Sequence, residues 1–241
     1  MKKQLITIVG PTAVGKTELA IKLANHFNTE IVSADSRQFY KELNIGTAKP
    51  TKKELESNKH HLIDNISISQ DYNISQFEKD ADTLINKIFL KNDYAILVGG
   101  SGLYIDAVLY GIDNIPEVDP SIRKKLNKEF EKKGIDELLS KLSILDNESL
   151  KTIDVNNPRR IIRALEVTIS TKKPYSAFLK SKNRKSKYNN IIIGLNRNRS
   201  ELHEIINKRV DKMIKRGLID EVSSLTDFKE LNALNTIGYS E

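Results

Sequence analysis

No cysteine occurs in the 241 residues. That excludes disulfides, cysteine nucleophiles and cysteine-bound metals, and it suits a cytoplasmic location. Nor is there an apolar run of about eighteen residues, the length a membrane-crossing helix needs. No membrane partner is therefore expected. Met1-Lys2-Lys3 leads straight into a β-branched run, which is not the pattern of a signal peptide. Histidine is scarce, at four residues. His60 and His61 are adjacent, so they point in different directions, and no Cys or third His lies nearby. Hydrogen bonding is favoured over metal ligation for this pair. His26 and His203 fall in helical patterns. The length and a hydrophobic content of 39% allow a sizeable core in one or two domains.

One stretch is complete where so much is missing. Gly10-Pro11-Thr12-Ala13-Val14-Gly15-Lys16-Thr17 fits the phosphate-loop pattern G-x-x-x-x-G-K-[ST] without a mismatch. Leu5–Val9 before it reads as a buried strand. Leu19, Ala20, Leu23, Ala24 and Phe27 after it form an apolar stripe at helical spacing. Strand, glycine-rich turn and helix together make a phosphate site. Backbone N–H groups and the positive end of the helix face the anion. Lys16 adds a mobile charge, and the Thr17 hydroxyl is placed to hold Mg²⁺. The loop specifies a polyphosphate, as in nucleotide- and ATP-binding proteins, but not which one.

The stretch 29–35 reads as a second strand ending on Asp35. In open α/β sheets, ligands bind beyond the carboxyl ends of strands. Asp35 is thus placed near the phosphate loop, with Ser36, Arg37 and Gln38 next to it. An N-cap role for Asp35 fits as well as a catalytic one. Leu43–Pro50 and His60–Asp64 read as loops. Phe77, Ala81, Leu84, Ile85 and Ile88 mark a packing helix over 75–90. Tyr94–Val98 is the next strand, and Gly99-Gly100-Ser101-Gly102 follows it. An ATPase often ends such a strand on an aspartate for Mg²⁺ and the attacking water. Its absence here weakens a hydrolase reading. Glycines allow close backbone approach, and Ser101 supplies one hydroxyl.

From Pro116 the character changes. Residues 116–190 carry 18 Lys and Arg against 10 Asp and Glu, so all of the chain's net charge of +7 lies there. A nucleic-acid partner and a lysine-rich solvated surface both fit that excess. Asp119 or Ser121 caps a helix through Lys133, and a second helix covers 136–142. Asn157 and Pro158 then start another, as N-cap and first-turn residue. Arg159 and Arg163 share one face, with Arg160 one step round. Ile161, Leu165 and Thr168 lie on a packing side. Three arginines in the first turns oppose the helix dipole, which suggests an anion for them to bind. Residues 176–190 read as a flexible arm. Asn190–Leu195 is a late strand, so the basic segment is an insertion. Leu202, Ile205, Ile206, Val210, Met213 and Ile214 stripe a final long helix that holds Arg209 and ends near Gly217. The expected fold is a P-loop NTPase-like, doubly wound parallel α/β sheet. Its core spans 1–115 and 191–241, around a helical basic insertion at 116–190.

Taken together, these motifs resemble the tRNA dimethylallyltransferase family. The likeness runs collinearly from Leu5 to Glu241. It passes through the phosphate loop, Asp35–Gln38, Ile45–Pro50, His60–Asp64, Val98–Tyr104, Asn157–Arg160 and Arg209–Met213 to Gly217–Glu221.

The resemblance implies that the polyphosphate is dimethylallyl diphosphate. Gly10 to Thr17 would bind it. Lys16, Arg209 and Mg²⁺ on Thr17 would neutralise the charge that grows on the leaving group. It implies Asp35 as the base toward the adenine N6, and Ser101 near the diphosphate and the adenine. Asp35, Ser36, Arg37, Gln38 and Ser101 would meet the tRNA. So would Arg123, Arg159, Arg160, Ile161, Ile162 and Arg163 of the insertion, with the target base flipped out. The substrate would be the adenosine 3′ of the anticodon in tRNAs reading codons that begin with U, and the enzyme a monomer.

Most members have threonine where this chain has Ser101. The hydroxyl survives, so function is expected to persist with some loss of rigidity. Relatives usually continue past the region of Gly238 and Tyr239 through a basic, aromatic segment that contacts RNA, and tRNA affinity is expected to suffer without it. The competing reading is a P-loop kinase of a nucleotide or small metabolite. The Gly-Gly-Ser-Gly strand end and the large basic insertion count against it. A GTPase-like RNA-binding module lacks the guanine-reading N/T-K-x-D motif.

Overall fold

The computed structural model describes residues 3–179 and 185–240. Two compact units emerge, Met1–Ile112 with Lys185–Glu241, and Asp113–Arg184. The chain runs β1 (Gln4–Val9), α1 (Lys16–Phe27), β2 (Ile31–Ser33), α2 (Lys52–Ser57), β3 (His60–His61), α3 (Ile74–Phe89), β4 (Tyr94–Val98) and α4 (Gly102–Tyr110). The second unit contributes α5 (Pro120–Lys133), α6 (Ile135–Leu145), α7 (Asn147–Leu150) and α8 (Pro158–Thr171). The first unit resumes with β5 (Asn190–Gly194), α9 (Arg199–Lys215) and α10 (Leu218–Ser224).

The five strands of the first unit are all parallel, in the order β3-β2-β4-β1-β5. Their side chains alternate between two covered faces, as strand geometry requires. Ile6, Ile8, Ile31 and Ile96 pack on Ala20 and Ala24 of α1. Leu5, Val32, Ala95 and Leu97 pack on Phe77, Ala81 and Ile85 of α3 and Val108 of α4. Burial of a side chain such as Phe77 contributes about 2–3 kcal/mol. Helices on both faces make this the doubly wound parallel arrangement. β2 is shorter than the stretch 29–35 read from the sequence, because the backbone leaves the ladder at Ala34. At that point a β-carbon on Gly99 would lie 2.1 Å from the Ala34 carbonyl oxygen. Glycine is therefore the residue that lets the ends of β2 and β4 close on each other.

In the second unit, α5, α6 and α8 enclose Leu126, Leu138, Leu142, Ile161 and Leu165. Asp119 caps α5 by accepting the Ser121 N–H at 2.8 Å. Asn157 caps α8 by accepting the Arg159 and Arg160 N–H groups.

Three expectations change. The arm read over 176–190 does not start as one, because Tyr175–Phe178 is a 3₁₀ turn. Residues 180–184 of that arm lie outside the described residues. Lys187 pairs with Glu78, and the Tyr188 hydroxyl donates to Asp82 at 2.5 Å. These contacts hold 187–188 on the first unit and move the junctions from 115/116 and 190/191 to 112/113 and 184/185. The apolar stripe of α9 is also not a core stripe, since the described residues bury no side chain of that helix. Val210 is 43% and Ile214 47% exposed. No helix among the described residues is long and apolar enough to cross a membrane.

Candidate active site

The phosphate loop turns through positive φ at Gly10, Ala13 and Gly15, with Gly15 at φ 106°. No side chain caps α1. The N–H groups of its first turn therefore stay available to an anion. Val14 is buried and anchors the loop. The Lys16 ammonium lies back on its own loop, donating to the carbonyls of Gly10 at 2.8 Å and Pro11 at 2.7 Å. Thr17 follows it on the first turn of the helix.

Beyond the carboxyl ends of β2 and β4 opens a cleft lined by Lys16, Thr17, Asp35, Gln38, His60 and Gly100 among others. Asp35 does not cap a helix. Its Oδ1 accepts the Arg37 N–H at 3.0 Å in a tight turn, and the cleft is lined by this residue. Arg209 comes from α9 and donates to the Ala48 carbonyl at 3.4 Å. Burial pushes the Lys16 ammonium below its ordinary pKa. Asp35 opposes that shift and Arg209 adds to it. Burial likewise lowers Arg209, with Asp35 in opposition. Two part-buried cations thus face one carboxylate, which leaves net positive charge. A phosphorylated ligand would balance that charge.

Ser101 directly follows Gly99 and Gly100, which line the cleft. It does not cap α4. Its Oγ accepts the Ser36 N–H at 3.1 Å and donates to the Ser36 Oγ at 3.2 Å. It therefore ties the strand end of β4 to the residue after Asp35.

His60 accounts for the hydrogen-bonding expectation, with Nδ1 2.8 Å from the Asn58 carbonyl. Its Nε2 is buried with no partner among the described residues. Burial lowers its pKa, so the ring is neutral. With Nδ1–H donating, Nε2 is a bare acceptor at the cleft wall. His61 reaches Glu30 instead.

Some expected contacts are not free to meet a substrate. Arg37 donates to the backbone carbonyls of Asn232, Ala233 and Asn235, so its guanidinium is a structural clamp. Gln38 lines the cleft but spends its amide on the Thr47 and Ala48 carbonyls. In the second unit, Ile161 and Ile162 lie in the core, at 0% and 6% exposure. They cannot present an RNA surface, because they are the packing side of α8. Arg123 makes a two-pronged contact to Glu166 at 2.6 and 2.7 Å. Arg163 reaches the same carboxylate at 2.6 Å. The Glu166 side chain is only 1% exposed. Two of the expected RNA cations therefore already hold a buried carboxylate, whereas Arg159 and Arg160 have no ion-pair partner among the described residues. Sequence reasoning missed Glu166. The i,i+3 spacing of Arg163 and Glu166 was the available signal.

A metal-binding donor set can be judged from these side chains. Among the described residues no cluster of three His, Asp or Glu forms a dedicated cage. One hydroxyl beside a carboxylate and an incoming phosphate suits Mg²⁺, which keeps its waters and takes few protein ligands. Thr17 with a phosphorylated substrate fits that requirement.

Comparison with known proteins gives concordant results. The family model described as IPP transferase matches residues 38–241. A tRNA dimethylallyltransferase from Christiangramia forsetii is 54% identical over 100% of this chain and 80% of its own. The crystal structure of a tRNA isopentenylpyrophosphate transferase from Bacillus halodurans matches with a TM-score of 0.68 and 38% identity, covering 99% of this chain and 76% of that one. A eukaryotic dimethylallyltransferase described as acting on tRNA matches with a TM-score of 0.75 and 28% identity, covering 96% and 57%.

Proposed function

The chain belongs to the IPP transferase family, and we propose that the Lys16, Asp35 and Arg209 cluster is where it carries out that family's reaction. It is a transferase that adds a dimethylallyl group to tRNA. The proposed donor is dimethylallyl diphosphate, and the acceptor is N6 of the adenosine 3′ of the anticodon. The observation that carries this assignment is the pairing of two part-buried cations with one carboxylate at the mouth of the phosphate loop. The hydrolytic aspartate is replaced there by Gly99-Gly100-Ser101.

The adenine N6 lone pair is delocalised into the ring and attacks weakly. As the N–C bond forms at C1 of the dimethylallyl group, the C–O bond to the diphosphate breaks. Asp35 takes the proton released from N6. The diphosphate leaves with the electron pair. Its charge is met by the loop N–H groups from Gly10 to Thr17, by Lys16 leaving the Gly10 and Pro11 carbonyls, and by Arg209. Mg²⁺ held by Thr17 would supply further charge neutralisation on the diphosphate. Ser101 keeps Asp35 in place through Ser36.

The base must leave the anticodon loop to reach this cleft. Arg159 and Arg160 are the proposed phosphate contacts of the second unit. The proposed working state is a monomer in the cytoplasm, since one chain supplies every cleft residue named above. A small-molecule kinase shares the loop but has no use for a large basic unit.

The test is incubation with dimethylallyl diphosphate and tRNA, followed by mass spectrometry of the nucleosides. N6-isopentenyladenosine is the expected product. Its absence, alongside ATP-dependent phosphorylation of a small acceptor, would overturn the reading.

A further inference from the structure

Two motifs have no role in the chemistry above, Ile45–Pro50 and Gly217–Glu221. The structure joins them. The Glu221 carboxylate, on α10, accepts N–H groups from three successive residues, Asn44 at 3.3 Å, Ile45 at 2.9 Å and Gly46 at 3.1 Å. The Tyr239 hydroxyl donates to the same carboxylate at 2.5 Å. A β-carbon on Gly46 would lie 2.6 Å from the Tyr239 ring, so the tyrosine closes directly over the turn. A carboxylate in a concave set of three amides is a strong, charge-assisted contact.

The chain leaving this turn leads to the cleft. The Thr47 and Ala48 carbonyls accept from the Gln38 amide at 3.2 and 3.4 Å. Ala48 also accepts from the Arg209 guanidinium at 3.4 Å. Ala48 itself sits at φ 50°, a conformation an alanine keeps only when its surroundings impose it. Asn44, at the other end of the turn, receives Lys49 on its Oδ1 at 3.0 Å.

We infer that Glu221 is a positioning residue for the transfer reaction. Its carboxylate, with Tyr239, sets the 44–48 turn whose carbonyls aim Arg209 and Gln38 at the cleft. Glu221 touches no reacting atom. It acts through the Ala48 carbonyl on the cation that meets the leaving group, so the inference rests on the reading of Arg209 given above.

The experiment measures steady-state transfer by the full chain, varying dimethylallyl diphosphate and tRNA separately, beside thermal unfolding. Glu221→Ala is expected to lower kcat roughly ten- to a hundredfold, the scale of a displacement of about 1 Å at a reacting centre, and to raise the KM for the diphosphate. The KM for tRNA should stay within about twofold, since Glu221 supports no proposed RNA contact. Glu221→Gln should recover part of the loss, because its amide oxygen accepts the same N–H groups. Tyr239→Phe should move the same two parameters by less. Unchanged kcat in a folded Glu221→Ala variant, or a lower unfolding temperature as its sole effect, would overturn the inference. If Glu221→Ala does not fold, Tyr239→Phe decides, and an unchanged kcat there overturns it equally. An inactive wild-type chain would instead overturn the underlying reading of the cleft, and this inference with it.

Discussion

The Ser101 hydroxyl accepts the Ser36 amide hydrogen at 3.1 Å, so the turn after β4 grips the residue beside Asp35. The Ser36 hydroxyl accepts from Ser101 in return at 3.2 Å. Ser101→Ala removes both bonds. Each is worth about 1 kcal/mol net, and loss of one such increment from the transition state is roughly fivefold in rate. A several-fold fall in kcat is expected, with diphosphate affinity unchanged. Ser101→Thr should retain wild-type turnover. Parallel measurement of kcat and diphosphate binding checks both variants.

Asp35→Asn keeps the shape of the turn but removes the proposed base. Turnover should fall by about 10²–10⁴, while dimethylallyl diphosphate binds near the wild-type level. Isothermal titration beside single-turnover transfer reads the two quantities. Equal losses in both would make Asp35 a binding group.

The arginines of the second unit should separate into two classes. Arg160→Ala removes a cation with no ion-pair partner among the described residues. The slope of log affinity for tRNA against log salt should fall by about 1. Arg123→Ala instead takes two hydrogen bonds from the buried Glu166. Its main effect should be a loss of stability on the order of 1–3 kcal/mol, since Arg163 still holds the carboxylate. Filter binding across a salt series and thermal unfolding of both variants test the division.

Asp146 gives the second unit an acid-sensitive tie. It is 4% exposed. Burial pushes its carboxyl pKa up, but hydrogen bonds from Ser149 and Ser176 outweigh that and hold it below the ordinary value of 3.8. A depressed folded pKa means stability that is present above the unfolded value and lost as pH falls through the folded one. The unfolding temperatures of wild type and Asp146→Asn should therefore differ most above about pH 4 and converge below it. A difference that stays constant down to pH 3 would contradict this.

The phosphate loop, the strands beside it and the caps at Asp119 and Asn157 were legible because they depend on neighbours in sequence. A glycine turn, an N-cap and a β-branched run each declare themselves locally. The strand-end rule placed Asp35, while family resemblance supplied its role and that of Arg209, and these two residues are far apart in the chain and meet only through the fold. Glu166 escaped notice, and Glu221 counted only as the end of a motif without a role, because a lone carboxylate on a helix reads as solvated surface. Their partners lie 43 residues away for Arg123 and 176 for Ile45. The stripe on α9 misled for the opposite reason. Helical spacing gives the face of a helix, not whether anything covers it. Ile161 and Ile162 show the same limit, since a residue inside a basic motif need not share the motif's surface.

Gly99 has a consequence for how this enzyme can vary. Any side chain there would strike the Ala34 carbonyl at 2.1 Å and wedge β2 from β4. Ala34 directly precedes Asp35, and Gly99 opens the Gly-Gly-Ser-Gly turn opposite it. The spacing between the strand end that carries the proposed base and the strand beside it is thus metered by a missing methyl. Gly99→Ala would leave every reactive group in the chain intact and still be expected to silence it. Random mutagenesis scored by activity should therefore find position 99 as intolerant as Asp35, although it contributes no functional group at all.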